Sequence, residues 1–121
     1  MIRFQWIGGP TFLLRAGSFR LLADPVFAEG PAAFLMDGHP STGEDRAPIA
    51  RRAPLPRLEL AGLGWVAPTP LHSDPSDAAA AGRLPEDAPF VAPGDGAGEV
   101  RARGLGDVRG LRWWEEVRLE K

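Results

Sequence analysis

The chain has no cysteine, which excludes disulfides, thiolate nucleophiles, thiolate metal ligands and redox pairs. Any metal must therefore be held by histidine or carboxylate, and histidine is limited to His39 and His72. Asparagine is absent, Gln5 is the single glutamine and Lys121 the single lysine, so positive charge rests almost wholly on arginine. Few thermolabile residues and little lysine lean toward a thermophilic or GC-rich source. No apolar run approaches the roughly 18 residues that span a bilayer, and the opening Met1-Ile2-Arg3-Phe4-Gln5-Trp6 lacks the apolar core of a signal peptide. A soluble, cytoplasmic protein without a membrane partner is the expectation. Acidic and basic residues are interspersed with a net charge of -2, and no arginine-rich face carries interleaved aromatics, so no nucleic-acid partner is expected either.

What remains is an ordinary globular composition. With 121 residues, 44% of them apolar, the chain suits one domain over residues 1–121 with one real hydrophobic core. Its 15 glycines and 13 prolines point to many turns and little long helix. Ile2, Phe4 and Trp6 alternate with polar neighbours, Gly8-Gly9-Pro10 turns the chain into Thr11-Phe12-Leu13-Leu14, and Ala16-Gly17-Ser18 turns it again into Phe19-Arg20-Leu21-Leu22-Ala23. This pattern predicts a three-stranded antiparallel meander, closed at Asp24-Pro25 because proline cannot continue a ladder.

Residues 28–57 show no sustained period of two or 3.6 and read as one long irregular loop, which Phe34, Leu35 and Met36 would pin down. Its Arg51-Arg52 pair reads as solvated. Further strands are expected at Leu63-Gly64-Trp65-Val66-Ala67, Pro89-Phe90-Val91-Ala92-Pro93, Val108-Arg109-Gly110-Leu111 and Glu116-Val117-Arg118-Leu119. Two short helices are expected, one from Ser76 to Ala81 with Asp74 or Ser76 as its cap, the other from Gly98 to Arg103. Together these predict a compact α+β fold, mainly an antiparallel or mixed sheet. Trp113 and Trp114 would point to opposite faces of an extended segment, one inward and one outward. Gly94-Asp95-Gly96-Ala97-Gly98 lacks the Gly-Lys-Ser/Thr ending of a phosphate loop and reads as a plain turn into a helix. Neither Ser73 nor Ser76 sits in a nucleophile elbow.

Three stretches together resemble the N-terminal half of a metallo-β-lactamase-fold hydrolase, in the branch of ascorbate-lactonase-like and phospholipase-D-like members. Trp6-Ile7-Gly8-Gly9-Pro10-Thr11 is similar to the opening strand and turn, Leu21-Leu22-Ala23-Asp24-Pro25 to the strand ending in an Asp-Pro step, and Pro70-Leu71-His72-Ser73-Asp74-Pro75 to the metal-binding loop. The likeness continues through Leu84 to Pro93 and Leu111 to Val117, and it implies one half of an αββα sandwich. The family's loop reads His-x-His-x-Asp-His; here only His72 and Asp74 match. The turn histidine of the family is replaced by Gly9. In such clusters paired cations acidify a bridging water to hydroxide. Proline at positions 70 and 75 offers no lone pair and stiffens the loop.

The resemblance implies hydrolysis of an ester, lactone or phosphodiester, and the residues argue against it. We expect no catalytic residues, no bound metal and a remnant pocket formed by His72, Asp74 and Asp24. His72 then reads as a hydrogen-bonded loop histidine, Asp74 as a helix cap and His39 as solvated. Half a sandwich would leave a sheet face uncovered, so a homodimer or a companion chain is the expected partner. The competing expectation is a metal-dependent hydrolase in which His72 and Asp74 from two copies share zinc or manganese. A small-molecule module with residues 28–57 as a lid is a third.

Overall fold

Alternation along Phe19–Ala23 decides how the molecule is layered. In the computed structural model, which describes residues 1–30, 34–37, 46–68, 82–94, 96–102 and 107–120, Leu22 is fully buried while Leu21 beside it is only partly so. Successive strand residues face opposite sides, so one face of this strand is core and the other is not.

The strands are β1 (Ile2–Gly8), β2 (Thr11–Ala16), β3 (Phe19–Ala23), β4 (Phe34–Asp37), β5 (Arg46–Ile49), β6 (Trp65–Ala67), β7 (Phe90–Pro93) and β8 (Val108–Leu111); helix α1 (Ala97–Ala102) lies between β7 and β8. Six of them form one mixed sheet in the order β1-β2-β3-β6-β7-β8. The first three pair antiparallel, as the meander pattern predicts, and β3, β6, β7 and β8 run parallel to one another. The hairpin at Gly17 is tight because that glycine takes φ 58°, which side chains disfavour.

The core lies on one face of the sheet. Leu13, Leu22, Val66, Phe90 and Val108 supply it from the strands, and Leu58, Leu60, Leu63, Leu84, Ala88, Ala97 and Val100 cover them from the connections and from α1. Arg101 ties the last turn of α1 to β8 by donating to the Val108 carbonyl at 3.1 Å. Among the described residues no helix is long and apolar enough to cross a membrane.

Four expectations need correction or bounding. The stretch 28–57 is not wholly irregular: β4 and β5 pair antiparallel with Phe34 opposite Ile49 and Leu35 opposite Pro48. Pro48 within β5 masks the strand pattern, and such a proline is tolerated where the ladder has a free side. Residues 115–120 do not form a strand. Trp113 and Trp114 lie in a turn, not an extended segment, and both are exposed. Of the two expected helices, the second is present as α1; residues 69–81, which include the first, lie outside the described residues.

Candidate functional site

Strand direction gathers the loops that matter on one edge. Because β1, β3, β6, β7 and β8 all point the same way, the turn at Gly8-Gly9, the Asp24-Pro25 step, the exit of β6 at Pro68 and the turn at Gly94 share the carboxyl-terminal edge of the sheet. Ligand sites in open sheets with parallel strands form at this edge.

Asp24 is the one predicted site residue within the described residues. It adopts φ 41°, a left-handed conformation uncommon for a residue with a side chain. Its amide donates to the Ala67 carbonyl at 3.0 Å, which sets it beside the end of β6. Two devices hold this step. Thr11, fully buried at the start of β2, donates from Oγ1 to the Asp24 carbonyl at 2.6 Å and accepts from the Val26 amide at 3.1 Å. Pro25 is fully buried next to it. His72 and Asp74, the other two members of the expected pocket, lie outside the described residues, as do His39, Ser73, Ser76 and Asp77.

Sequence reasoning missed the residue that clamps this edge. Arg51, read as solvated, is half-buried, and its guanidinium donates to the carbonyls of Ile7 (3.0 Å), Val26 (2.6 Å) and Ala28 (3.3 Å). Its amide adds a bond to the Gly30 carbonyl at 3.2 Å. Arginine suits this place because its planar fork carries five donors. Gly8 completes the fit: it takes φ 137°, and a Cβ there would come within 2.9 Å of Arg51 Nη1. The excursion that begins near Ala28 is thereby strapped to the end of β1 and to the Asp24 step. No local motif could have revealed this, since the acceptors are 23 to 44 residues away in sequence.

At the neighbouring strand end the glycine-rich stretch is a turn into α1, as the sequence suggests. Gly94 donates to the Leu111 carbonyl at 2.6 Å and Gly96 to the Pro93 carbonyl at 2.9 Å.

Among the described residues the donors present are too few for a paired-zinc centre. Among the described residues no three His, Asp or Glu side chains converge, and the carbonyls of Ile7, Val26 and Ala28 already accept from the Arg51 cation. Asp24 brings one carboxylate to the edge, whereas a closed zinc site takes four ligands and a catalytic one at least three. The described residues accordingly support no reaction step routed through a metal.

The opposite face of the sheet is a second feature of functional weight. Ile2, Phe4 and Trp6 on β1 share it with Phe12 and Leu14 on β2 and Phe19 and Leu21 on β3, as the register Phe4 to Leu14, Trp6 to Phe12 and Leu14 to Leu21 requires. Ile2, Phe4 and Trp6 are 71%, 62% and 68% exposed. Strand alternation turns Ile7 into the core while Trp6 stays outside, and a β-bulge between Trp6 and Gly8 shifts the register at the end of the strand. Phe4 stacks on Phe12 with ring centroids 4.8 Å apart. Farther along this face Trp65 is buried: Arg109 lies over its ring at 5.6 Å, and its Nε1 donates to the Glu120 carbonyl at 3.0 Å. Segment 115–120 thus reaches the β6 side, and among the described residues nothing covers Ile2, Phe4 and Trp6 at the meander edge.

No family model matches the sequence, and no curated protein matches it. Solved structures do. A possible metal-dependent hydrolase from Veillonella parvula DSM 2008 superposes with a TM-score of 0.66 at 21% identity, over 97% of this chain and 43% of that one. An isothiocyanate hydrolase from Delia radicum gut bacteria superposes with a TM-score of 0.67 at 27% identity, over 97% of this chain and 44% of that one. The chain therefore has the fold of part of such hydrolases and spans under half of their length. This supports the hydrolase-type fold expected from the sequence, without selecting the branch.

Proposed function

We propose that this chain is a non-catalytic, metal-free relative of metallo-β-lactamase-fold hydrolases, amounting to one half of the αββα sandwich, that works through association: a second copy covers the bare sheet face and completes the sandwich. The observation that carries the reading is the apolar strip Ile2, Phe4 and Trp6, more than half exposed on a face that continues through Phe12, Leu14, Phe19 and Leu21. The three side chains of the strip alone expose roughly 400 Å² of apolar surface. Patches of that size rimmed by polar residues mark interaction sites.

Two further facts support it. Both hydrolases of like fold have chains more than twice as long as the part matched here, so in them further chain is present that a second layer could be built from. A two-fold dimer is the commonest way for a single chain to supply such a layer from itself. The non-catalytic part of the reading rests on the donor set, in which Gly9 stands where the family carries its turn histidine and prolines 70 and 75 occupy metal-loop positions.

Light scattering across a dilution series tests the association, with a dimer expected for the parent and a monomer for Phe4→Asp/Trp6→Asp. A parent chain that stays monomeric at every concentration would sink the reading. The competing hydrolase reading draws on Asp24 standing beside the exit of β6 toward His72 and Asp74. Its test is metal content after purification, with turnover of phosphodiester, lactone and thioester substrates in added zinc or manganese. Stoichiometric metal with turnover would replace the scaffold by the enzyme.

A further inference from the structure

Strand register brings together three cations that lie apart in the sequence. Arg3 on β1 stands opposite Arg15 on β2, and Arg15 stands opposite Arg20 on β3. Directly paired residues share a face of the sheet. Two residues farther along the same strands, Gln5 pairs with Leu13 and Leu13 with Leu22, and Leu13 and Leu22 belong to the core. Alternation therefore puts all three arginines on the core side, at the end of the sheet remote from Asp24. With neighbouring strands about 4.8 Å apart, the three side chains start within roughly 10 Å of one another.

Nothing in the row offsets this charge. Beyond Arg20, at the entry to β6, stands Gly64, which has no side chain and donates its amide to the Arg20 carbonyl at 3.0 Å. Arg20 Nη1 donates to the Ala61 carbonyl at 2.9 Å. Glu59, two residues before Ala61, turns its Oε1 to the Ala61 amide at 3.1 Å. Among the described residues no carboxylate pairs with Arg3, Arg15 or Arg20. Like charges directly opposite one another on a sheet repel, and here the repulsion is repeated across two strand pairs. Arg15 supplies a second observation: its Nε is shut off from solvent and has no hydrogen-bond partner, a costly state for a donor on a charged group. Arg3 is exposed while Arg15 and Arg20 are half-buried, so a small solute can reach the row from its β1 end.

We propose that Arg3, Arg15 and Arg20 form an anion site that takes a phosphate group, free or carried as the monoester of a small molecule. Guanidinium forks bind phosphate oxygens two donors at a time, and a tetrahedral phosphate offers oxygens to three forks at once. Three adjacent positive charges favour a phosphate dianion over a single carboxylate, which would leave two of them unmatched. The anion lies against the central guanidinium, and a rotation of the Arg15 side chain turns Nε onto it. The apolar strip of the association reading is on the other face of the sheet, so the two proposals succeed or fail independently.

Titration calorimetry of the whole chain with inorganic phosphate and with phenyl phosphate, at constant ionic strength, tests the site. Saturable binding of one anion per chain is expected. Phenyl phosphate should bind more tightly at neutral pH than at about pH 5, because a phosphate monoester loses its second proton near pH 6 while arginine stays charged throughout. Tighter binding of phenyl phosphate assigns the site to an ester, and tighter binding of inorganic phosphate assigns it to the free anion. Arg3→Gln, on the exposed edge strand, should weaken binding about ten- to a hundredfold, the loss of one hydrogen bond between charged groups, and Arg15→Gln at least as much. Arg118→Gln, exposed in segment 115–120, should bind as the parent does. Thermal unfolding keeps binding separate from folding: phosphate should raise the midpoint of the parent and leave that of Arg3→Gln where it was. No saturable heat with either anion, an equal response to chloride at the same ionic strength, or parent-like binding by Arg3→Gln overturns the site.

Discussion

At the scale of single residues, the edge that carries Asp24 is organised by side chains whose partners are backbone groups. Thr11 is fully buried and bonds both the carbonyl of Asp24 and the amide of Val26. Thr11→Val keeps its shape and removes the hydroxyl, leaving the Val26 amide unpaired away from water. We expect a loss of about 1–3 kcal/mol in urea unfolding, with Thr11→Ser close to the parent; equal losses for both would show that the hydroxyl is unimportant. Arg51 and Gly8 form a second coupled pair, since Nη1 occupies the space a Cβ at Gly8 would need. Gly8→Ala and Arg51→Ala should each destabilise, and the double variant should lose less than their sum, because residues in direct contact couple by about 0.5–3 kcal/mol. Strict additivity in a double-mutant cycle would refute the contact.

At the scale of elements, β3 shows how one strand serves two faces. Leu22 is fully buried in the core and Leu21 points to the open side. Leu22→Ala should cost about 2–5 kcal/mol, as large-to-small changes in cores do, and Leu21→Ala much less in dilute protein. If the two variants unfold at the same denaturant midpoint, the assignment of faces is wrong. This strand, with Phe19 and Ala23 as its ends, and β8 from Val108 to Leu111 were legible in the sequence, because a local pattern and a turn residue bound each of them. Glu116 to Leu119 alternates just as well and is not a strand. Its alternation is used differently: Val117 and Leu119 are half-buried while Glu116, Arg118 and Glu120 are exposed, as befits a segment laid across Trp65 instead of hydrogen-bonded beside β8. The β4–β5 pairing was hidden for the converse reason, since Pro48 breaks the pattern in a strand that the fold nevertheless pairs.

At the scale of the whole molecule, the balance between core and open face governs behaviour. If a second copy covers the strip, folding and association are linked, and the thermal midpoint must rise with protein concentration. The Phe4→Asp/Trp6→Asp variant should unfold at a midpoint that ignores concentration. Calorimetry over a dilution series checks both, and a parent midpoint independent of concentration would count against the dimer. The candidate site belongs to the same scale: its loops meet only because β1, β3, β6 and β7 run in one direction.

The sequence alone determined the chemistry open to this protein. Without cysteine the thiolate chemistries are closed, and any imidazole chemistry rests on His39 and His72. It also determined the meander, because strand alternation and glycine turns act between neighbours. Tertiary structure alone decided that Arg51 clamps the edge and that Trp65 is covered while Trp6 is exposed. Those outcomes depend on contacts between residues tens of positions apart, and a local pattern carries no record of which distant partner the folded chain will bring.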